Sequence, residues 1–99
     1  MMTGQRIQAE RAEAWGLITQ AVPDGELDRA VGALVAELSE RAPLALRTLK
    51  VVLNRGADAP LETALELERK AYAWLRSTGD YTEGVTAFLE KRPPRYMGR

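Results

Sequence analysis

Residues 60–79, PLETALELERKAYAWLRSTG, decide the fold. Leu61, Ala64, Leu65, Ala71, Tyr72 and Leu75 share one face at helical spacing, while Glu62, Glu66, Glu68, Arg69, Lys70 and Arg76 stand among the other positions. A half-buried strand would alternate with a period of two, and this stretch does not. Pro60 suits a helix start, where its missing N–H would be unpaired anyway, and Gly79 is the expected stop. The same device stands upstream. Pro43 opens a segment in which Leu44, Leu46, Leu49, Val52 and Leu53 are expected to bury, with Gly56 as terminator. Before it, Asp24 is the expected N-cap of a helix whose apolar stripe is Leu27, Ala30, Val31, Leu34, Val35 and Leu38.

At the amino-terminal end, QAERAEAW (8–15) is rich in helix formers and Gly16 is placed to stop it in a left-handed turn, although Gln8 is a poor cap. LITQAVP (17–23) reads as an extended connector or an isolated strand. At the other end, Asp80 followed three places later by Glu83 resembles a reciprocal capping box for a last helix, which Pro93 and Pro94 end. The expectation is an all-α fold of four to five short helices forming one domain over residues 1–99. It has no parallel sheet, and so no nucleotide crevice of the sheet-edge kind.

Composition narrows the chemistry. A chain of 99 residues has room for one domain, and its apolar content of 45% leans on alanine, with only two Trp, three Tyr and one Phe. The core is therefore thin and invites a partner. Fourteen cationic and fourteen acidic side chains cancel, so no overall field draws the chain to nucleic acid or a membrane surface. Cysteine and histidine are both missing, which removes thiolate chemistry, a Ser-His triad and an ordinary zinc site. No apolar run approaches the length of a membrane span and MMTGQRIQAE (1–10) is no secretory signal, so the expected location is cytoplasmic.

Glu62 and Glu66 lie four apart and could be paired carboxylates, but the Glu66 to Lys70 spacing reads as a surface ion pair. Trp15 and Trp74 read as core or interface residues, and Arg47 with Lys50 as a wetted face. No glycine spacing matches a phosphate-cradling loop. The best local candidate is the basic end: Lys91, Arg92, Arg95 and Arg99, with Phe88 three residues before Lys91 and expected on the same side of a helix. An aromatic face beside cations can hold a flat base and its phosphates. The alternative is that Phe88 is core and the cations serve the helix C-terminus and solubility.

The order of these blocks is more specific than any one of them. TGQRIQAERAEAWGLITQAVPDGEL (3–27), APLALRTLKVVLNRG (42–56) and LETALELERKAYAWLRSTGDYTEGVTAFLEKRPPRYMGR (61–99) together resemble the carboxyl-terminal part of the enoyl-CoA hydratase/isomerase, or crotonase, family. The ending EGVTAFLEKRPPRYMGR (83–99) is the most specific piece. The resemblance implies the family's C-terminal helical region without its N-terminal β/α spiral core. It also implies chemistry on acyl-CoA thioesters, with coenzyme A as part of the substrate and no tightly bound cofactor. The family's oxyanion-hole segment and hydratase glutamates would precede the matched region, the second glutamate falling just before the segment matching Met1–Gly4. No catalytic residue and no metal ligand is expected in this chain, which would then be inactive alone. Transferred by position, Phe88 becomes a wall of the CoA pocket, Lys91 a phosphate partner and Arg92 a further contact.

The expected partners are acyl-CoA and other subunits, as a homo-oligomer or by association with complete crotonase subunits, with no nucleic acid and no membrane. Two other readings stay open: a free-standing helical oligomerisation or interaction module without catalysis, and a basic-tailed helical protein that binds nucleic acid.

Overall fold

The computed structural model describes residues 4–99, so the first residue of the block 3–27 and most of the Met1–Gly4 segment lie outside the described residues. The architecture is all-α, with five helices and no strand among the described residues: α1 (Ala9–Ala14), α2 (Leu27–Ser39), α3 (Pro43–Gly56), α4 (Leu61–Leu75) and α5 (Gly79–Leu89). By its internal contacts the chain divides into two compact units. One runs up to Val35 and the other is Ala36–Arg99, with α2 contributing residues to both.

In the first unit Gln8 stands at the N-cap position of α1 and makes no side-chain cap bond, as that residue type predicts. Gly16, at φ +70°, ends it: the Gly16 N–H donates to the Glu13 carbonyl and the Leu17 N–H to the Ala12 carbonyl, which satisfies two carbonyls left over by the helix. The Arg11 guanidinium lies 4.5 Å from the Trp15 ring centre. Residues 17–23 form a connector, tied back where the Ala21 N–H donates to the Glu13 carboxylate at 3.0 Å.

Asp24 is not the cap of α2. A turn closed by the Glu26 N–H on the Pro23 carbonyl places Asp24 beside Gly25, at φ +85°, and the helix starts only at Leu27. The turn takes precedence because glycine supplies the left-handed residue it needs. The stripe of α2 is regular but uncovered: Leu27, Val31, Leu34, Val35 and Leu38 are all exposed.

In the second unit α3 starts at Pro43, as expected, and α4 follows Pro60 directly. These two helices pack against each other. A Cβ on Gly56 would sit 3.5 Å from the Ala64 Cβ, so the end of α3 approaches α4 closely. The pairing leaves one side open, as an apolar groove of about 750 Å³ lined by Leu46, Leu49, Val52, Leu53, Leu61 and Leu65, among others. The expected burial of the α3 leucines is therefore incomplete, with Leu49 and Leu53 more than half exposed. Among the described residues only Ala87 and Asp80 are fully buried, at 1% and 4% exposure. Glu66 pairs with Lys70 at 2.7 Å on the outer face of α4, which holds its carboxyl below the ordinary carboxylate range, chiefly by that hydrogen bond.

Candidate functional site

The start of α5 decides what its acidic residues do. Asp80 and Glu83 do not form the expected capping box. Thr78 is the cap: its hydroxyl accepts from the Tyr81 N–H at 3.2 Å and donates to the Leu75 carbonyl at 2.6 Å, so one side chain ends α4 and begins α5. Gly79 is accordingly the first residue of α5 rather than a left-handed stop after α4. With the cap position taken, the carboxylates of Asp80 and Glu83 are free for other donors, and the C-terminal tail supplies them.

The tail folds back along α5. Asp80 accepts the main-chain N–H of Met97 on Oδ1 at 2.7 Å and of Gly98 on Oδ2 at 2.9 Å, while its own N–H donates to the Arg99 carbonyl at 3.0 Å. Glu83 accepts the Arg95 N–H at 2.7 Å and both terminal nitrogens of Arg92, at 2.7 and 3.0 Å. These bonds, the Arg92 pair foremost, hold the Glu83 carboxyl at about 2, against an ordinary 4.5, and push the Arg92 guanidinium upward. Glycine permits the close approach: a Cβ on Gly84 would lie 3.2 Å from the Tyr96 Oη, and one on Gly79 3.1 Å from the Arg99 carbonyl oxygen.

Beside the clasped tail lies an apolar hollow of about 420 Å³, lined by Leu44, Leu75, Tyr81, Val85, Phe88 and Tyr96 among others. Phe88 stands at its rim, 82% exposed. The Arg76 guanidinium sits 5.9 Å from the Tyr72 ring centre and 5.8 Å from that of Tyr81, two of the aromatics that line the hollow.

Lys91 is not on the helix with Phe88, as spacing alone suggested. α5 ends at Leu89, and Lys91 takes the left-handed conformation at φ 53°. Its N–H donates to the Phe88 carbonyl at 3.3 Å and the Arg92 N–H to the Ala87 carbonyl at 3.0 Å, a two-bond helix ending whose left-handed position is usually glycine. Pro93 biases Arg92 away from helix, so the chain must leave there. Phe88 and Lys91 thus share one turn of backbone, whereas Arg92 is drawn aside, its Nε on Glu90 at 2.6 Å and its terminal nitrogens on Glu83. Among the described residues no cluster of acidic residues could hold a metal ion.

The model of the family described as enoyl-CoA hydratase/isomerase matches residues 1–99. The chain belongs to this family. Over 98 residues it is 35% identical to the 1,2-epoxyphenylacetyl-CoA isomerase of Escherichia coli, covering 99% of the chain and 37% of that protein. It is 36% identical to enoyl-CoA hydratase domain-containing protein 2, mitochondrial, of Bos taurus over 102 residues, covering 99% of the chain and 34% of that protein. Among solved structures, the enoyl-CoA hydratase of Bacillus anthracis superposes with a TM-score of 0.94 at 35% identity, over 99% of the chain and 38% of that structure. The chain thus spans little more than a third of the length of the relatives it matches.

Sequence reasoning missed Asp80, Gly84 and Tyr96 as members of this site. Asp80 bonds partners 17 and 18 residues away, and no periodicity reports that. The only signal for the clasp was the family-like order of Glu83-Gly84, Phe88, Lys91-Arg92, proline and Tyr96 within a single block.

Proposed function

We propose that this chain is the C-terminal helical segment of an enoyl-CoA hydratase/isomerase family protein acting on acyl-CoA thioesters. It supplies oligomer contacts and part of the CoA pocket, contributes no catalytic residue of its own, and is inactive alone. Phe88 forms a wall of that pocket and Lys91 meets a CoA phosphate. Arg92 stands beside them with its charge shared between Glu83 and Glu90, so its contribution is smaller. Coenzyme A enters as part of the substrate, no tightly bound cofactor is required, and the setting is cytoplasmic. The observation that carries this reading is the family match across residues 1–99 of a chain spanning about 38% of its relatives. The uncovered leucines of α2, α3 and α4 support it, since extended apolar faces of this kind are normally covered by other protein. Among the described residues no helix is long and apolar enough to cross a membrane.

Calorimetric titration with coenzyme A, run beside a crotonyl-CoA hydration assay, tests the proposal. Saturable binding weakened in Lys91→Ala, with no turnover, is the expected result. Turnover by the chain alone that one glutamate substitution abolishes would sink the claim of inactivity, and equal affinity in wild type and Lys91→Ala would sink the assignment of Lys91. The open groove between α3 and α4 favours a second reading, an interaction module that associates with itself or with complete family subunits without holding CoA. Sedimentation showing self-association, together with no CoA binding, would select it.

A further inference from the structure

We propose that Glu83 is a positioning residue for Lys91: by gripping Arg92 with both carboxylate oxygens it holds the preceding residue in the left-handed turn from which the lysine ammonium meets a phosphate of a CoA-type ligand. The ligand half of this inference rests on the reading given above.

The starting point is the backbone of Lys91. Among the described residues it alone takes a positive φ without being glycine. A lysine side chain cannot bond its own backbone to ease that conformation, as asparagine or aspartate can. Glycine would end α5 at lower conformational cost, so a lysine here points to a use for its side chain that the fold itself does not supply. Among the described residues no carboxylate pairs with its ammonium, whereas Arg92, its neighbour, bonds two.

Two contacts hold the turn. The Arg92 N–H closes the turn on the carbonyl of buried Ala87, and the Arg92 side chain is fixed by the fork of Glu83. Glu83 Oε1 also accepts the Arg95 N–H, so one carboxylate secures the chain on both sides of Pro93–Pro94. Arg92 and Arg95 face Glu83 directly, and Glu90 faces it through Arg92. The Arg92 guanidinium is thus engaged by two carboxylates, and Arg95 gives Glu83 its main-chain N–H, whereas the Lys91 ammonium in the turn itself has no carboxylate partner among the described residues and is open to an incoming anion.

The experiment compares wild type, Glu83→Gln and Lys91→Gly by NMR and by coenzyme A titration, with the amide signals of α3 and α4 as the check on folding. In Glu83→Gln the Lys91 HN–Hα coupling and Cα and Cβ shifts should move away from left-handed values. Exchange of the Arg92 amide should rise about tenfold, and the coenzyme A dissociation constant should rise by a similar factor with the lysine intact. Lys91→Gly should keep the turn and lose the same affinity. If Glu83→Gln does not fold, Arg92→Lys removes the fork from the other side and is read in the same way. Unchanged Lys91 signals in a chain that binds coenzyme A overturn this inference alone. A wild-type chain that does not bind coenzyme A overturns the functional reading and the ligand half of the inference with it.

Discussion

Replacing Asp80 by asparagine keeps the size of a buried side chain and removes one of its two acceptors. The carboxylate takes the N–H groups of Met97 and Gly98 at 2.7 and 2.9 Å in a position 4% exposed. A bond to a charged acceptor contributes about 1.5–3 kcal/mol, and an amide side chain would turn its own N–H₂ toward one of those donors. The two bonds do not simply add, because a released tail regains hydrogen bonds to water, so the worked loss is one bond. Local opening of residues 96–99 should then become roughly ten- to hundredfold more frequent. Amide exchange at Met97 and Gly98 reads this directly, with amides of the paired helices α3 and α4 as internal controls. Asp80→Ala, which removes both acceptors, should free the tail enough for trypsin to cut after Arg95. Equal exchange at Met97 and Gly98 in wild type and Asp80→Asn would refute the reasoning, since those two bonds would then not be what holds the chain end.

Glu83 gives the clasp an acid limit. Its carboxyl is held at about 2 in the folded chain against an ordinary 4.5, so its stabilising contribution is complete above pH about 4.5 and fades as the pH falls toward 2. Exchange of the Arg95 amide, corrected for its intrinsic pH dependence, should accelerate across that window in wild type and stay flat in Glu83→Gln. At Gly84, alanine gains about 1 kcal/mol of helix propensity, and a Cβ 3.2 Å from the Tyr96 Oη takes much of it back, so denaturation of Gly84→Ala should show a net change within about 0.5 kcal/mol. Gly84→Val adds branches the ring cannot clear, and Tyr96 ring signals should move to exposed values.

The paired helices were legible because their determinants are local. Pro43 and Pro60 fix where α3 and α4 can begin, and the apolar period between them needs no distant partner to be read. The start of α5 was not legible. Thr78 and Asp80 are both good caps, and the choice between them is settled by Met97 and Gly98, whose amides give Asp80 a better use than capping. Gly79 misled for a related reason: glycine stands there because the Arg99 carbonyl comes close, not because the chain turns left-handed. Phe88 and Lys91 could be picked out of the sequence as an aromatic and a cation three places apart. Their geometry was not legible, because a left-handed lysine is held by the Arg92–Glu83 pair across nine residues of sequence.

These misreadings share a cause that bears on function. A chain whose apolar stripes remain open has few buried side chains to fix its ends, so the second unit relies on polar contacts from its tail. Asp80 and Glu83 serve that purpose at the cost of two carboxylates with little freedom to do acid–base chemistry: each already accepts main-chain amides, and Glu83 is strongly acidic. Catalytic carboxylates are tuned the other way, toward neutral pH. The same contacts that order the end of α5 therefore argue against either residue as a general base, and they leave Phe88 and Lys91 exposed on the ordered turn, together with Leu89 and Glu90. That division, Asp80 and Glu83 turned inward to hold the backbone and an aromatic and a cation turned outward, is the arrangement that the proposed ligand contact at Phe88 and Lys91 requires.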